Sequence, residues 1–253
     1  MSTALPRRLA ASAALLSLLG LSACGNEQPA GDPSGSTSSQ TPQDGSNDAG
    51  TDSSSGPGTA AAEADVDTAS STDVVVNKAR PLDPQDYAPE PLEDLEGHQL
   101  RKDAAAAAQQ MLSDMRAQGI TVSITSAYRP YVEQVSTYQH WVEVNGQATA
   151  DTISARPGHS EHQTGLVMDI ADGSGCDLQE CFADTDAAQW AAEHAQDYGF
   201  VLRYPRGGED VTGYAYEPWH YRYIGEQRAR ELSESGAATL EEFYGTGPAP
   251  DYS

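Results

Sequence analysis

Two short stretches of this chain gather side chains capable of acid–base or metal chemistry. In the first, the loop Arg156-Pro157-Gly158-His159-Ser160-Glu161-His162-Gln163-Thr164-Gly165 runs into Leu166-Val167-Met168-Asp169-Ile170. His162 stands in the loop, and Asp169 stands within an apolar run of strand character. A carboxylate among such neighbours is costly unless it is paired or bound to a metal. In the second stretch, Glu217-Pro218-Trp219-His220 lies among Tyr214, Tyr216, Tyr221 and Tyr223. Positions three apart on a regular strand face opposite sides, but Pro218 breaks the ladder, so both side chains can reach one cavity. Each stretch alone admits a plainer reading: an Asp that caps or pairs within the sheet, and an edge strand with an exposed Glu and a packed His.

Together the two stretches supply two imidazoles, a carboxylate near one of them, and a second carboxylate to spare. A catalytic zinc site uses three protein ligands and keeps one position open for water. A separate carboxylate then serves as general base toward that water. His162, Asp169 and His220 fit the ligand roles for one zinc ion, and Glu217 fits the base. Arg129 follows Ser126-Ala127-Tyr128, and a fixed guanidinium there would stabilise negative charge developing on a carbonyl oxygen. An Arg that caps a carboxylate at a strand-to-helix turn is the commoner role for that position. Of the remaining histidines, His159 is expected to line the cleft, whereas His140 and His194 fall in helices.

The elements that must position these groups are legible from periodicity. Residues 74–78 form a short apolar run with strand character, and residues 80–91 are Pro-rich and extended. Leu100, Ala104, Ala107, Ala108, Met111, Leu112 and Met115 recur at helical spacing within 96–118, and Gly119 ends that helix. Strands are expected over 120–125, 165–170, 200–204 and 219–224. Helices are expected from Pro130 to about Val144, over 184–198 with a stop at Gly199, and over 225–235 and 239–244. Without regular βαβ spacing, the pattern is α+β: a single compact domain over residues 73–245, with a central antiparallel sheet carrying helices on one face. Residues 246–253 are expected to be a flexible tail.

The start of the chain reads differently. Arg7 and Arg8 precede an apolar run from Leu9 to Leu21, then Leu21-Ser22-Ala23-Cys24. This has the layout of an export signal over residues 1–24, and its end resembles the bacterial lipobox, in which the cysteine carries lipid. Residues 25–72 are Gly, Ser, Thr, Asp, Pro and Ala with almost no large apolar side chain, the composition of a disordered tether. Of three cysteines, Cys24 takes the lipid, which leaves Cys176 and Cys181 to pair once exported. A net charge of −24 argues against nucleic acid, which needs a basic face, and against adhesion to anionic headgroups. The expected location is extracytoplasmic, with membrane contact through the lipid alone, and the expected state is a monomer.

The pattern Ser160-x-His162-x-x-Gly165-x-x-x-Asp169 followed by Glu217-Pro218-Trp219-His220 resembles the VanY-type D-Ala-D-Ala carboxypeptidases of the lysostaphin, D-Ala-D-Ala peptidase and hedgehog-fold group. The resemblance runs from about Val75 to Tyr244 and includes Asn77-Lys78, Ser126-Ala127-Tyr128-Arg129, Gly199-Phe200-Val201-Leu202-Arg203-Tyr204-Pro205 and Thr212-Gly213-Tyr214. It implies zinc on His162, Asp169 and His220, Glu217 as base, and Arg129 on the scissile carbonyl. It further implies Ser160 and Gln134 as substrate contacts, with Tyr128 and Trp219 as cleft walls. The implied activity is removal of C-terminal D-alanine from peptidoglycan stem peptides. The alternatives are L,D-carboxypeptidase action on tetrapeptide stems and a zinc-containing binding module without catalysis. One departure is Arg206-Gly207-Gly208-Glu209-Asp210, a loop in which the family often carries a lysine.

Overall fold

A computed structural model describes residues 64–253. The export segment, the lipidation expected at Cys24 and the tether up to residue 63 lie outside the described residues.

The first regular element is a hairpin of β1 (Leu92–Leu95) and β2 (His98–Arg101). Glu96 and Gly97 turn it with φ of 58° and 86°, as a tight hairpin with right-handed strand twist requires. The helix α1 (Lys102–Ala117) follows directly. Ala104, Ala108, Met111, Leu112 and Met115 form its buried stripe, the recurrence of an amphipathic helix. Residues 98–101 were expected in this helix. They pair in the hairpin instead, where Leu100 is buried and the Arg101 N–H donates to the Gly165 carbonyl at 2.8 Å.

The main sheet is four-stranded and antiparallel, ordered β3 (Ser123–Ser126), β4 (Val167–Ala171), β6 (His220–Tyr223) and β5 (Phe200–Leu202). Alternation along the strands divides its faces. Ile124, Met168, Ile170, Phe200 and Tyr221 join the large core with α1 and α4 (Asp186–His194). Asp169 faces the other side, opposite its register partner His220, and Arg222 lies two residues beyond on that same face. The α+β arrangement with an antiparallel sheet is as expected. Between β3 and β4 run α2 (Tyr131–Asn145), α3 (Gln147–Ile153) and a single 3-10 turn, Glu161–Thr164. The short helix α5 (Glu209–Thr212) precedes β6; α6 (Glu226–Ser235) and α7 (Leu240–Tyr244) close the fold, α7 with a Thr239/Glu242 capping box.

Three expected boundaries shift. Val74, Val75 and Val76 are buried but join no ladder among the described residues. Residues 64–72, expected in the tether, are packed: Ala69 is buried, and the Val66, Ser70 and Thr72 carbonyls accept from Val75, Arg101 and Arg222. The expected tail is docked as well. Ala249 is buried and donates to Val211, Lys78 Nζ donates to the Pro250 carbonyl at 3.0 Å, and Tyr252 Oη accepts from the Arg156 N–H at 2.8 Å. Both segments are poor in large apolar residues, and backbone groups supply most of these contacts; composition carries no sign of them.

Candidate active site

Asp169 is fixed by the central strand β4 and His220 by the first position of β6, where the two are opposed across the ladder. His162 comes from the 3-10 turn that precedes β4. Gly165 ends that turn with φ of 69°, and a Cβ there would meet Arg101 N at 3.3 Å, so the glycine lets the chain turn tightly into β4. Residues just beyond β3 bracket His162: its Nδ1 lies 2.7 Å from the Ala127 carbonyl, and its own carbonyl accepts from the Arg129 N–H at 3.1 Å. With Nδ1–H donating to Ala127, Nε2 is left toward the site.

His162 Nε2 lies 3.3 Å from Asp169 Oδ2, and His220 Nδ1 lies 3.1 Å from Asp169 Oδ1. The imidazole planes stand at 88°. One ligand-type atom from each residue falls within 4.8 Å of the others. Asp169 Oδ1 is buried yet makes no hydrogen bond, although His220 Nδ1 is close by. Two imidazoles and a carboxylate gathered this closely, with one carboxylate oxygen buried and unbonded, are the donor types that a zinc site uses. The three residues therefore fit the ion that their types suggested. Glu217 occupies the turn leading into β6, held by its N–H on the Tyr204 carbonyl and by its carbonyl accepting from His220. Its Oε2 is 3.3 Å from His220 Nδ1. The ladder indeed starts only at His220, so Glu217 escapes the alternation that would point it away.

Electrostatics separate the carboxylates. Burial pushes the Glu217 carboxyl up to about 7, with His220 opposing and Asp169 reinforcing the rise. Burial alone would raise Asp169 too, but the His162 and His220 imidazoles hold it well below the usual carboxylate range. Burial lowers His162. His220 moves the other way, up to about 9: burial opposes the shift, while the Asp169 and Glu161 carboxylates outweigh it.

Arg129 reaches the cleft on a fixed path. Its two terminal nitrogens donate to Gln134 Oε1 at 2.9 Å and Ser126 Oγ at 3.0 Å. Gln134, expected as a substrate contact, is buried and spends its amide on the Ala155 carbonyl at 2.6 Å. It lines the cleft, but its polar atoms are committed to bracing Arg129. Ser160 and Trp219 also line the cleft, which encloses about 440 Å³. Tyr128 does not. It lies in a separate groove with residues 88–92, because its N–H pairs with the Gln99 carbonyl of the hairpin. His159 also turns away, with Nδ1 on the Asn77 carbonyl at 2.8 Å and its ring against Tyr252.

Beneath the triad lies a charge network that the sequence reading missed. Glu161 Oε1 accepts from Arg203 Nε at 2.9 Å and from Arg222 at 2.8 Å, and Arg203 pairs bidentately with Glu241. These side chains are fully buried. Glu161 Oε2 faces His220 Nε2 at 3.7 Å, and neither atom has a hydrogen-bond partner. Burial would raise Glu161, but the two guanidinium groups hold it far below its ordinary value. The signal was available: Arg222 is a charge within β6 and Arg203 one directly after the apolar β5. Tyr204, its ring centroid 4.8 Å from that of His220 and tilted by 51°, and Tyr214 complete the inner wall and were not singled out. The expected Cys176–Cys181 disulfide is present.

Comparison with known proteins agrees with this geometry. Residues 97–226 match the profile of the family described as VanY, D-alanyl-D-alanine carboxypeptidase. A putative carboxypeptidase of Bacillus subtilis (strain 168), YodJ, is 38% identical over 181 residues; the match spans 67% of this chain and 66% of that relative, just under two thirds of its length. Among solved structures, the LdcB LD-carboxypeptidase superposes with a TM-score of 0.64 at 36% identity, covering 70% of this chain and 87% of that one. A mutant of the vancomycin resistance D,D-pentapeptidase VanY, in complex with Zn(II), superposes with a TM-score of 0.60 at 29% identity, covering 68% and 98%.

Proposed function

This chain belongs to the VanY family of D-alanyl-D-alanine carboxypeptidases, and from that premise we propose that it is a zinc metallocarboxypeptidase that removes a C-terminal D-alanine from peptidoglycan stem peptides. One observation carries the reading. Three buried donor atoms converge within 4.8 Å, with the spare carboxylate of Glu217 beside them at 3.3 Å from His220. A binding module needs no such spare carboxylate, so Glu217 and Arg129 favour catalysis over mere recognition.

His162, Asp169 and His220 would hold one zinc ion. When bound, zinc supplies Lewis-acid polarisation and acidifies water. Glu217 takes the proton from the attacking water and delivers it to the amine that leaves as the C–N bond breaks. Arg129, clamped by Gln134 and Ser126, stabilises the charge that gathers on the carbonyl oxygen. Tyr204 and Tyr214 exclude water from the inner wall. The same reading places the protein outside the cytoplasm, tethered through lipid on Cys24.

The finer specificity is D,D: release of the last D-alanine of a pentapeptide. Incubating purified protein with defined pentapeptide and tetrapeptide stems, and weighing the products, tests this. Loss of one alanine from the pentapeptide alone supports it. Loss from the tetrapeptide alone reassigns the enzyme as an L,D-carboxypeptidase, and no release from either removes the proposal.

A further inference from the structure

The loop closed by Cys176 and Cys181 has no part in the chemistry above, yet it reaches the cleft. Leu178, at its tip, lines the same cavity as the triad and is 47% exposed. Its φ is 55°, a left-handed conformation that a bulky side chain rarely adopts. Such a conformation persists only where its surroundings over-determine it. Here they do. The disulfide closes the loop, and Asp177 Oδ1 accepts from the Asp172 and Gly173 N–H groups at 3.3 and 3.2 Å. The Gln179 N–H bonds back to the Cys176 carbonyl at 3.0 Å. The loop is also braced from across the mouth: Arg206 meets Glu180 at 3.3 Å and lies 4.4 Å over the Tyr216 ring, and Tyr216 lines the cleft.

The cleft has two distinct ends. The triad is buried and the Glu217 side chain is 14% exposed, whereas Trp141, Ile153 and Leu178 at the rim are each more than a third exposed. An exopeptidase releases one residue and keeps the rest of the chain, and the retained part is joined to a polymer. The retained part must therefore leave through the open, apolar end. We propose that the disulfide-closed loop presents Leu178 as a specificity-determining wall for the peptide on the N-terminal side of the scissile bond, where it packs against hydrocarbon of the residues upstream of the last two. This inference rests on the carboxypeptidase reading given above.

The test compares kcat/KM for the stem peptide that the wild type processes with that for the same peptide shortened to its N-acetylated last two residues. The wild type is expected to prefer the longer peptide. Leu178→Asn keeps the left-handed conformation, which Asn tolerates, and removes the apolar contact. It is expected to lower kcat/KM for the long peptide by on the order of fivefold, mainly through KM, and to leave the short peptide and the zinc content unchanged. Leu178→Ala should act in the same direction. A wild-type ratio near one, equal loss on both peptides, or no loss in either variant overturns the inference while leaving the carboxypeptidase reading intact. Absence of hydrolysis of any stem peptide by the wild type removes both.

Discussion

Glu217 and Arg129 line one cleft, and their substitutions are expected to fail in different ways. Glu217→Gln keeps the donor set His162, Asp169 and His220, so the protein should retain one zinc by elemental analysis while turnover drops about a hundred- to ten-thousand-fold. Loss of the metal in that variant would make Glu217 a ligand instead. Arg129→Ala should cost roughly 3 kcal/mol in transition-state stabilisation, read as a fall in kcat more than a rise in KM. Gln134→Ala is expected to reproduce part of that effect, because Gln134 Oε1 fixes one arm of Arg129. Glu161 belongs to a different class. It is fully buried between Arg203 and Arg222, and Glu161→Gln leaves Arg222 without its carboxylate partner and Arg203 with Glu241 alone. Breaking a buried pair in this way costs about 3–5 kcal/mol, which denaturant unfolding would register. A wild-type midpoint in that variant would show that the network contributes nothing to stability.

The elements explain which of these residues could be read beforehand. Asp169 announced itself as a carboxylate between Met168 and Ile170, and His220 followed from its place beside Pro218 and Trp219. Arg203 and Arg222 carried the same signal, but an arginine at a strand end is usually taken to snorkel, and their shared partner Glu161 lies in a loop that drew attention to its neighbour His162. The hairpin of β1 and β2 was hidden because Leu100 fits the helical stripe of α1 in sequence while packing from a strand. Tyr128 was misplaced for a related reason: its pairing with Gln99 depends on that unrecognised hairpin. The docked tail shows the limit of composition most clearly, since Ala249, Pro250 and Tyr252 are held largely through backbone atoms and one phenol. Removing residues 246–253 should therefore lower stability by about 1–3 kcal/mol, the scale of a few lost hydrogen bonds. An unchanged unfolding midpoint would restore the flexible tail.

At the scale of the whole molecule, the sheet divides its labour between two faces. Met168, Ile170 and Tyr221 belong to a continuous apolar core with α1 and α4, whereas Asp169, His220 and Arg222 serve the cleft from the other side. The core does not depend on the donor triad, so chelation is expected to leave a folded protein with a lower melting temperature, restored as added zinc rises above its dissociation constant. Unfolding on chelation would instead make the ion structural. The net charge of −24 over the whole chain gives no long-range attraction for an anionic peptide terminus. Hydrolysis of a terminal D-alanine at the triad can be read by mass analysis of one defined stem pentapeptide. The peptide is incubated with zinc-loaded protein, chelated protein and chelated protein given zinc again. Release of a single C-terminal alanine is expected in the first and third reactions and none in the second; equal release in all three, or cleavage within the peptide that leaves the terminal D-alanine attached, would rule out zinc-dependent carboxypeptidase action.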